Sequence, residues 1–428
     1  MIRETTPNEE GGEYYYDKHA AEAAVAFFPR YLRHFKGEWA GKEFKLDEWQ
    51  KNIVRNVFGW KRTKDGTRRY RTLYIWIPRK NGKSTMAAGF ALILLMGDGE
   101  PGPEVYLIAR TESQARIVYS FVSQMISQSP ELSSRLTPFK TSIWCDELAG
   151  KIEPLTGKAA GKHGLNANGI IGDELHEWVD DELYTFVHQS EGTRRQPLDV
   201  LISTAGKRDG VGWEHYQLCE AILEGEIHAP DTYVFIAAAD AEKDANDPKY
   251  WASEEAIEES NPGYRISVNP DFLASEVSKA LSNPRRENDV KRYYLNLWVD
   301  QEVRWLNMAK WDACGHPDDE PVKAFKDRKG VLPIIYRKAN MRWADFPERF
   351  VGRRCLTGVD LSSTTDLTAA VHVFPPDEDY PLWSIVPRLY IPRGTDQELA
   401  DRIKRDRFDY KAAADVGAIT LTEGDVVD

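Results

Sequence analysis

Residues 74–85, YIWIPRKNGKST, put Gly82, Lys83 and Ser84 in the last three places of the phosphate-binding pattern G-x-x-x-x-G-K-[ST]. Ile77 stands where that pattern opens with glycine. An apolar run precedes the turn and KSTMAAGFALILLM follows it, so the sequence predicts a strand, a loop and a helix. A helix N-terminus offers unpaired N–H groups and a positive dipole end to phosphates. Lys83 is expected to reach the β- and γ-phosphates of ATP, and Ser84 to hold Mg²⁺. Gly82 makes the close approach, and Ile77 has only to end the strand.

About 90 residues later, NGIIGDEL predicts a strand that ends in two adjacent carboxylates, Asp173 and Glu174. The expectation is that Asp173 holds the Mg²⁺–water shell and Glu174 polarises the attacking water. Strand, loop, lysine and helix followed by strand, Asp and Glu is the order of an ATP hydrolase. Upstream, Trp49 and Gln50 lie in DEWQ, where a Gln amide can both donate to and accept from an adenine edge. Downstream, LISTAG predicts a strand ending in two hydroxyls, Ser203 and Thr204, placed to report hydrolysis at the γ-phosphate.

The elements that must carry these groups follow from hydrophobic periodicity. Residues 14–37 read as a helix with a basic end, and residues 46–60 as a second helix. RTLYIWIP, EVYLIAR, NGIIGDE, LDVLISTAG and TYVFIAAA read as short buried strands, and TESQARIVYSFVSQMIS as a helix between two of them. Strands alternating with helices predict an α/β fold built on a parallel sheet. A segment rich in Pro, Gly and charge, 309–345, reads as a linker between a first domain, 1–308, and the start of a second, 346–428.

Composition narrows the class. The net charge of −12 argues against nucleic-acid binding by the whole surface, so such a role needs local basic patches. Four are present: KRTKDGTRRYR, GTRRQ with Arg194 and Arg195, GKRDG with Lys207 and Arg208, and NPRRENDVKR. The four cysteines, Cys145, Cys219, Cys314 and Cys355, lie far apart and read as buried free thiols rather than as a zinc or disulfide framework. MIRETTPNEE is too polar for a signal peptide, and AAGFALILLMG too short to span a membrane.

These motifs, in this order, resemble the large terminase subunit of tailed double-stranded DNA bacteriophages. The resemblance covers about residue 40 to the end. The family's deviant phosphate loop carries basic residues, here Arg79 and Lys80, so that Arg79, Lys80, Asn81, Gly82, Lys83, Ser84 and Thr85 become the expected ATP-binding stretch, with Trp49 and Gln50 upstream. DELHEW and LISTAG match its acidic and coupling motifs. RRENDVKRYYLNLWVD resembles the helix that closes its ATPase domain, and LTGVDLSSTTDLTAAV the first strand pair of its nuclease domain. The resemblance implies a P-loop ATPase of the ASCE/RecA-like type followed by an RNase H-like nuclease.

The same resemblance implies the rest of the machinery. Asp360 falls on the family's first nuclease metal position, read here as a buried carboxylate at a sheet's centre that binds Mg²⁺ or Mn²⁺; Asp366 falls at the following turn. The family's other nuclease carboxylates are expected beyond Asp428, which makes the second domain an incomplete one. Lys162 stands where the family carries a basic residue that acts across a subunit interface, with Arg194 as a rival and Arg79 as a cation acting in cis. The implied partners are double-stranded DNA, a terminase small subunit, the portal protein of a procapsid and further copies in a ring, in the host cytoplasm and away from membranes. The implied function is ATP-driven translocation of viral DNA into a procapsid with metal-dependent cutting. A helicase-like ATPase outside packaging is the alternative, and a binding protein with a vestigial nucleotide fold is a third.

Overall fold

A computed structural model describes residues 1–7, 12–155, 164–240, 243, 247–283, 286–299, 350–360, 368–376, 384–406, 410–415 and 419–422. The chain divides into two compact units, Met1–Asn307 and Met308–Asp428.

In the first unit the strands are β1 (Ile2–Glu4), β2 (Tyr14–Tyr16), β3 (Trp60–Arg62), β4 (Thr72–Trp76), β5 (Glu104–Ile108), β6 (Thr137–Pro138), β7 (Ile143–Cys145), β8 (Gly150–Leu155), β9 (Gly169–Asp173), β10 (Leu198–Ser203) and β11 (Thr232–Ala237). Nine of them form one sheet in the order β1-β11-β4-β10-β9-β5-β8-β7-β6. The run from β11 to β8 is parallel, and antiparallel strands close both edges. The apolar runs in the sequence are near-continuous because both faces are covered, as parallel sheets require. Leu73, Ile75, Val200 and Ile202 point into one core, while Tyr74, Trp76 and Leu201 point into the other.

Helices α1 (Lys18–Tyr31), α2 (Glu48–Gly59), α3 (Lys83–Met96) and α4 (Glu112–Ser127) cover the first face. The helices Glu182–His188 and Gly210–Leu223 contribute to the second. α3 is buried nearly all round, which accounts for its lack of a polar stripe. α2 starts at a capping box: the Asp47 N–H donates to Gln50 Oε1 at 2.9 Å. α4 starts at another, built by Thr111 and Gln114.

Two expectations change here. Residues 14–37 are not one helix, because Tyr14–Tyr16 pair with Trp60–Arg62 and Asp17 caps a helix that ends at Tyr31. The short strands β6–β8 at one end of the sheet carry too little periodicity to be read from sequence. Cys145 and Cys219 are buried free thiols, whereas Cys355 is exposed; Cys314 and the segment 309–345 lie outside the described residues. Among the described residues, no helix is long and apolar enough to cross a membrane.

The second unit holds a four-stranded sheet in the order β12 (Leu356–Asp360), β13 (Thr368–Phe374), β14 (Ser384–Pro392) and β15 (Thr420–Thr422). The first two pairings are antiparallel and the last parallel. Ile391, Leu399, Tyr410, Ala413 and Ile419 form its small core. β12 has one sheet neighbour among the described residues, and all five of its residues are exposed.

Candidate active site

The carboxyl ends of β4, β10 and β9 lie side by side, with Ser203 in register with Trp76 and Asp173 with Ile202. Ligands of open α/β sheets bind beyond such ends. Residue 77 extends the pairing by one step, its N–H donating to the Ser203 carbonyl at 3.0 Å. The Ile77 side chain is fully buried. Ile77 therefore ends the strand as expected and fills core as well, which gives the absent first glycine a packing reason.

The turn then takes two left-handed residues, Lys80 (φ +73°) and Gly82 (φ +81°). Glycine adopts this region without strain. An added Cβ at Gly82 would lie 3.7 Å from Gln50 Nε2, so the α2 amide borders the loop directly. Asn81 is buried and fixes the turn from outside. Its amide donates to Asn261 Oδ1 at 2.8 Å, and its Oδ1 accepts from the Gly263 N–H at 2.9 Å. The Arg79 N–H donates to the Tyr293 carbonyl at 2.7 Å, and its guanidinium stacks 3.5 Å from the Tyr293 ring centroid. Lys80 is exposed, and Ser84 and Thr85 are half-buried in the first turn of α3.

Lys83 is the point of convergence. Its Nζ donates to Thr204 Oγ1 at 2.6 Å and lies 3.4 Å from Glu174 Oε2. Thr204 Oγ1 in turn donates to the Ile77 carbonyl at 2.9 Å. One hydroxyl thus ties the β10 end to both the phosphate loop and its lysine. Glu174 has φ +51°, a conformation that side-chain-bearing residues adopt at a cost of order 1–3 kcal/mol and that clusters at active sites. His176 Nδ1 lies 3.2 Å from Glu174 Oε2 and 3.1 Å from Ser203 Oγ.

Burial would raise the Glu174 carboxyl, but the Lys83 ammonium and then the His176 contact outweigh it and hold Glu174 down at about 2. Asp173 goes the other way. Burial first and the Glu174 charge second push it up to about 7, against the pull of Lys83. One carboxyl of the pair keeps its charge and the other sits at the edge of losing it. A buried carboxyl in that state is suited to a cation, which would restore its charge. Asp173 is the carboxyl of this site whose surroundings fit a divalent metal, and Ser84 stands in the first turn of α3.

Other expected residues sit elsewhere. Trp49 is buried and stacked on Phe235, with centroids 5.5 Å apart, so its ring is taken up by the core. Arg194 donates to the carbonyls of Pro101, Gly102 and Asn166, which fixes it within its own chain. Lys162 and Asp366 lie outside the described residues. Several basic runs turn inward: Arg68 is fully buried against Asp98 at 2.6 Å, and Lys291 pairs with Glu287 at 2.6 Å. Asp360 ends β12, an exposed strand with one sheet neighbour among the described residues. Its pattern, an apolar strand closed by Asp, does not distinguish an exposed strand from a buried one. The sequence did not single out His176, Asn261 or Tyr293. His176 had a signal, two places after Glu174 in DELHEW; the other two are joined to the loop by tertiary contacts alone.

Two family models match the chain, "Terminase large subunit, ATPase domain" over residues 48–221 and "Terminase large subunit, endonuclease domain" over residues 226–327. The endonuclease match begins ahead of β11, which pairs with β4 in the sheet of the phosphate loop, and it stops short of Asp360. Protein YmfN of Escherichia coli K12 is 27% identical over 271 residues, 62% of this chain and 52% of that protein. The large terminase subunit of Enterobacteria phage HK97 is 24% identical over 412 residues, 95% of this chain and 72% of that protein. The chain thus spans about half the length of the first relative and nearly three quarters of the second. The crystal structure of the HK97 large terminase shares the fold at a TM-score of 0.55 and 22% identity, covering 95% of this chain and 75% of that one. With two models of one family matching more than half the chain between them, the protein belongs to the terminase large subunits and carries their ATPase and endonuclease domains.

Proposed function

We propose that the protein drives double-stranded viral DNA into a procapsid by hydrolysing ATP at the Lys83–Glu174 centre, and cuts that DNA with its endonuclease domain. The observation that carries the hydrolytic assignment is the contact of Lys83 Nζ with both Thr204 and Glu174. Lys83 and the Gly82 turn take the phosphates, Gln50 borders the adenine side, and Asp173 and Ser84 hold Mg²⁺. Bound Mg²⁺ supplies charge neutralisation to the phosphates. Lys83 exchanges its contact with Glu174 for one with phosphate, which removes the main influence keeping that carboxyl acidic. Glu174 then becomes a better acceptor for a proton of the attacking water.

Ser203 and Thr204 couple this change to the rest of the unit, because they touch His176 and Lys83 and lead into residues 205–208. Asn296 and Val299 hold that segment through the Ala205 N–H at 2.7 Å and the Gly206 carbonyl at 3.3 Å. In this reading the partners are duplex DNA, a small terminase subunit, a portal and further copies in a ring, in the host cytoplasm. Asp360 is a ligand for Mg²⁺ or Mn²⁺ in the cutting reaction, and residues 1–308 and 346–428 are the motor and the start of the nuclease. Lys162 is the cation given across the interface.

The test is steady-state phosphate release with and without duplex DNA, alongside a forked-substrate assay. Duplex-stimulated turnover without strand separation is expected. Turnover coupled to unwinding would favour the helicase reading instead. Mixing Lys162→Ala with Glu174→Gln subunits should partly restore turnover; no recovery at any ratio would remove Lys162 from the interface role.

A further inference from the structure

Strand β10 carries a second polar group four residues before Ser203, on the same face of the sheet. Asp199 is fully buried in an otherwise apolar strand. A buried carboxylate is costly unless it is paired or ligates a metal. Its Oδ2 accepts from the Tyr184 hydroxyl at 2.7 Å and lies 2.8 Å from His188 Nδ1. The same His188 nitrogen lies 3.3 Å from Glu191 Oε2. His188 and Glu191 sit three residues apart, at the end of the helix Glu182–His188 and in the turn that follows it. The ligand atoms of His188, Glu191 and Asp199 all fall within 4.8 Å of one another.

Two further oxygens of this cluster are unsatisfied. Asp199 Oδ1 and Glu191 Oε1 are buried and have no hydrogen-bond partner. Both residues are at least nine-tenths buried, Glu191 being 7% exposed. The imidazole Nδ1 and the Tyr184 hydroxyl reach Asp199 Oδ2 and Glu191 Oε2 only, so two of the four carboxylate oxygens are left without a donor. The His188 side chain is half exposed, which leaves a path for a cation and a water ligand.

We infer that His188, Glu191 and Asp199 form a binding site for a divalent transition-metal ion of the zinc class, separate from the nucleotide and nuclease sites. Bonds of about 2.0–2.2 Å in a tetrahedral arrangement put ligand atoms roughly 3.3 Å apart, which the 3.3 Å His188–Glu191 spacing matches and to which the 2.8 Å His188–Asp199 contact opens when an ion replaces the shared proton. One imidazole nitrogen with two carboxylates selects zinc-class ions over Mg²⁺, which prefers an all-oxygen shell. Tyr184 orients the Asp199 carboxylate from behind, the usual place of an outer-shell donor. Asp199 lies about 13 Å along the strand from Ser203 at 3.3 Å per residue. The ion would therefore act on the sheet without touching bound nucleotide.

The test is equilibrium dialysis of the chelator-treated full chain against Zn²⁺, in excess Mg²⁺ with ADP present. One tightly held zinc per chain is expected. His188→Ala alters a half-exposed side chain and should weaken it by at least about 100-fold; Asp199→Asn should do the same, and Tyr184→Phe should weaken it about 10–100-fold. Asp173→Asn and Asp360→Asn should leave the affinity unchanged. Failure of the parent chain to hold zinc would overturn the proposal, as would zinc that survives His188→Ala or is lost with Asp173→Asn.

Discussion

Two strands in this protein end in the same way, β9 as GIIGD and β12 as LTGVD, yet their terminal carboxylates have different chemistry. Asp173 closes a strand buried along its whole length between β10 and β5, next to Glu174 and beneath Lys83. Its proton affinity is set by burial and by its neighbours. Asp360 closes an exposed strand that has one sheet neighbour among the described residues. Among the described residues it belongs to no group of three metal-ligating side chains. A strand-end Asp thus takes its properties from what packs beside it, and the sequence motif does not carry that information.

The largest expected effect is at the buried end. Lys83→Ala removes the cation shared by Glu174 and Thr204, and ATP turnover should fall by on the order of 10²–10³ or more, measured as phosphate release. Turnover within a few-fold of the parent would break the contrast, because the buried site would then not need its cation. Thr204→Val keeps the shape and removes the hydroxyl bonded to Lys83. The loss of one charge-assisted hydrogen bond corresponds to about tenfold in kcat, with ATP affinity changing less. An unchanged kcat would reduce Thr204 to a packing residue.

Trp49→Ala sharpens the contrast between packing and chemistry. Truncating a buried Trp costs roughly 3–5 kcal/mol, so chemical denaturation should show that loss. Trp49→Phe should recover most of the stability and leave the KM for ATP within about twofold of the parent; a large rise in KM would return Trp49 to the nucleotide. The smallest effect is expected at the exposed end. Asp360→Asn should leave ATP turnover unchanged while it lowers metal-dependent cleavage. A parallel loss of both activities would mean that the two carboxylates share a pathway.

Much of the ATPase site was legible because its signals are local. Gly82, Lys83 and Ser84, the Asp173–Glu174 pair and the hydroxyls Ser203 and Thr204 sit where a period change from strand to helix or loop makes them visible. Their convergence was not legible: that β10 lies between β4 and β9, so that Thr204 meets Lys83, is a fact of strand order. The roles of Asn81 and Arg79 depend on residues 261, 263 and 293, about 180 to 214 positions away. Basic runs read as surface patches proved partly internal, because charge in a sequence does not say whether a partner such as Asp98 is waiting.

The central claim is that Glu174 activates water at a site whose nucleotide binding depends on Lys83. It is tested most directly by measuring ATP affinity and single-turnover phosphate release on one Glu174→Gln preparation. The amide keeps the size of the side chain and removes its ability to take a proton. ATP affinity should stay within a few-fold of the parent, and phosphate release should slow about 10²–10⁴-fold. Phosphate release at the parental rate would contradict the claim.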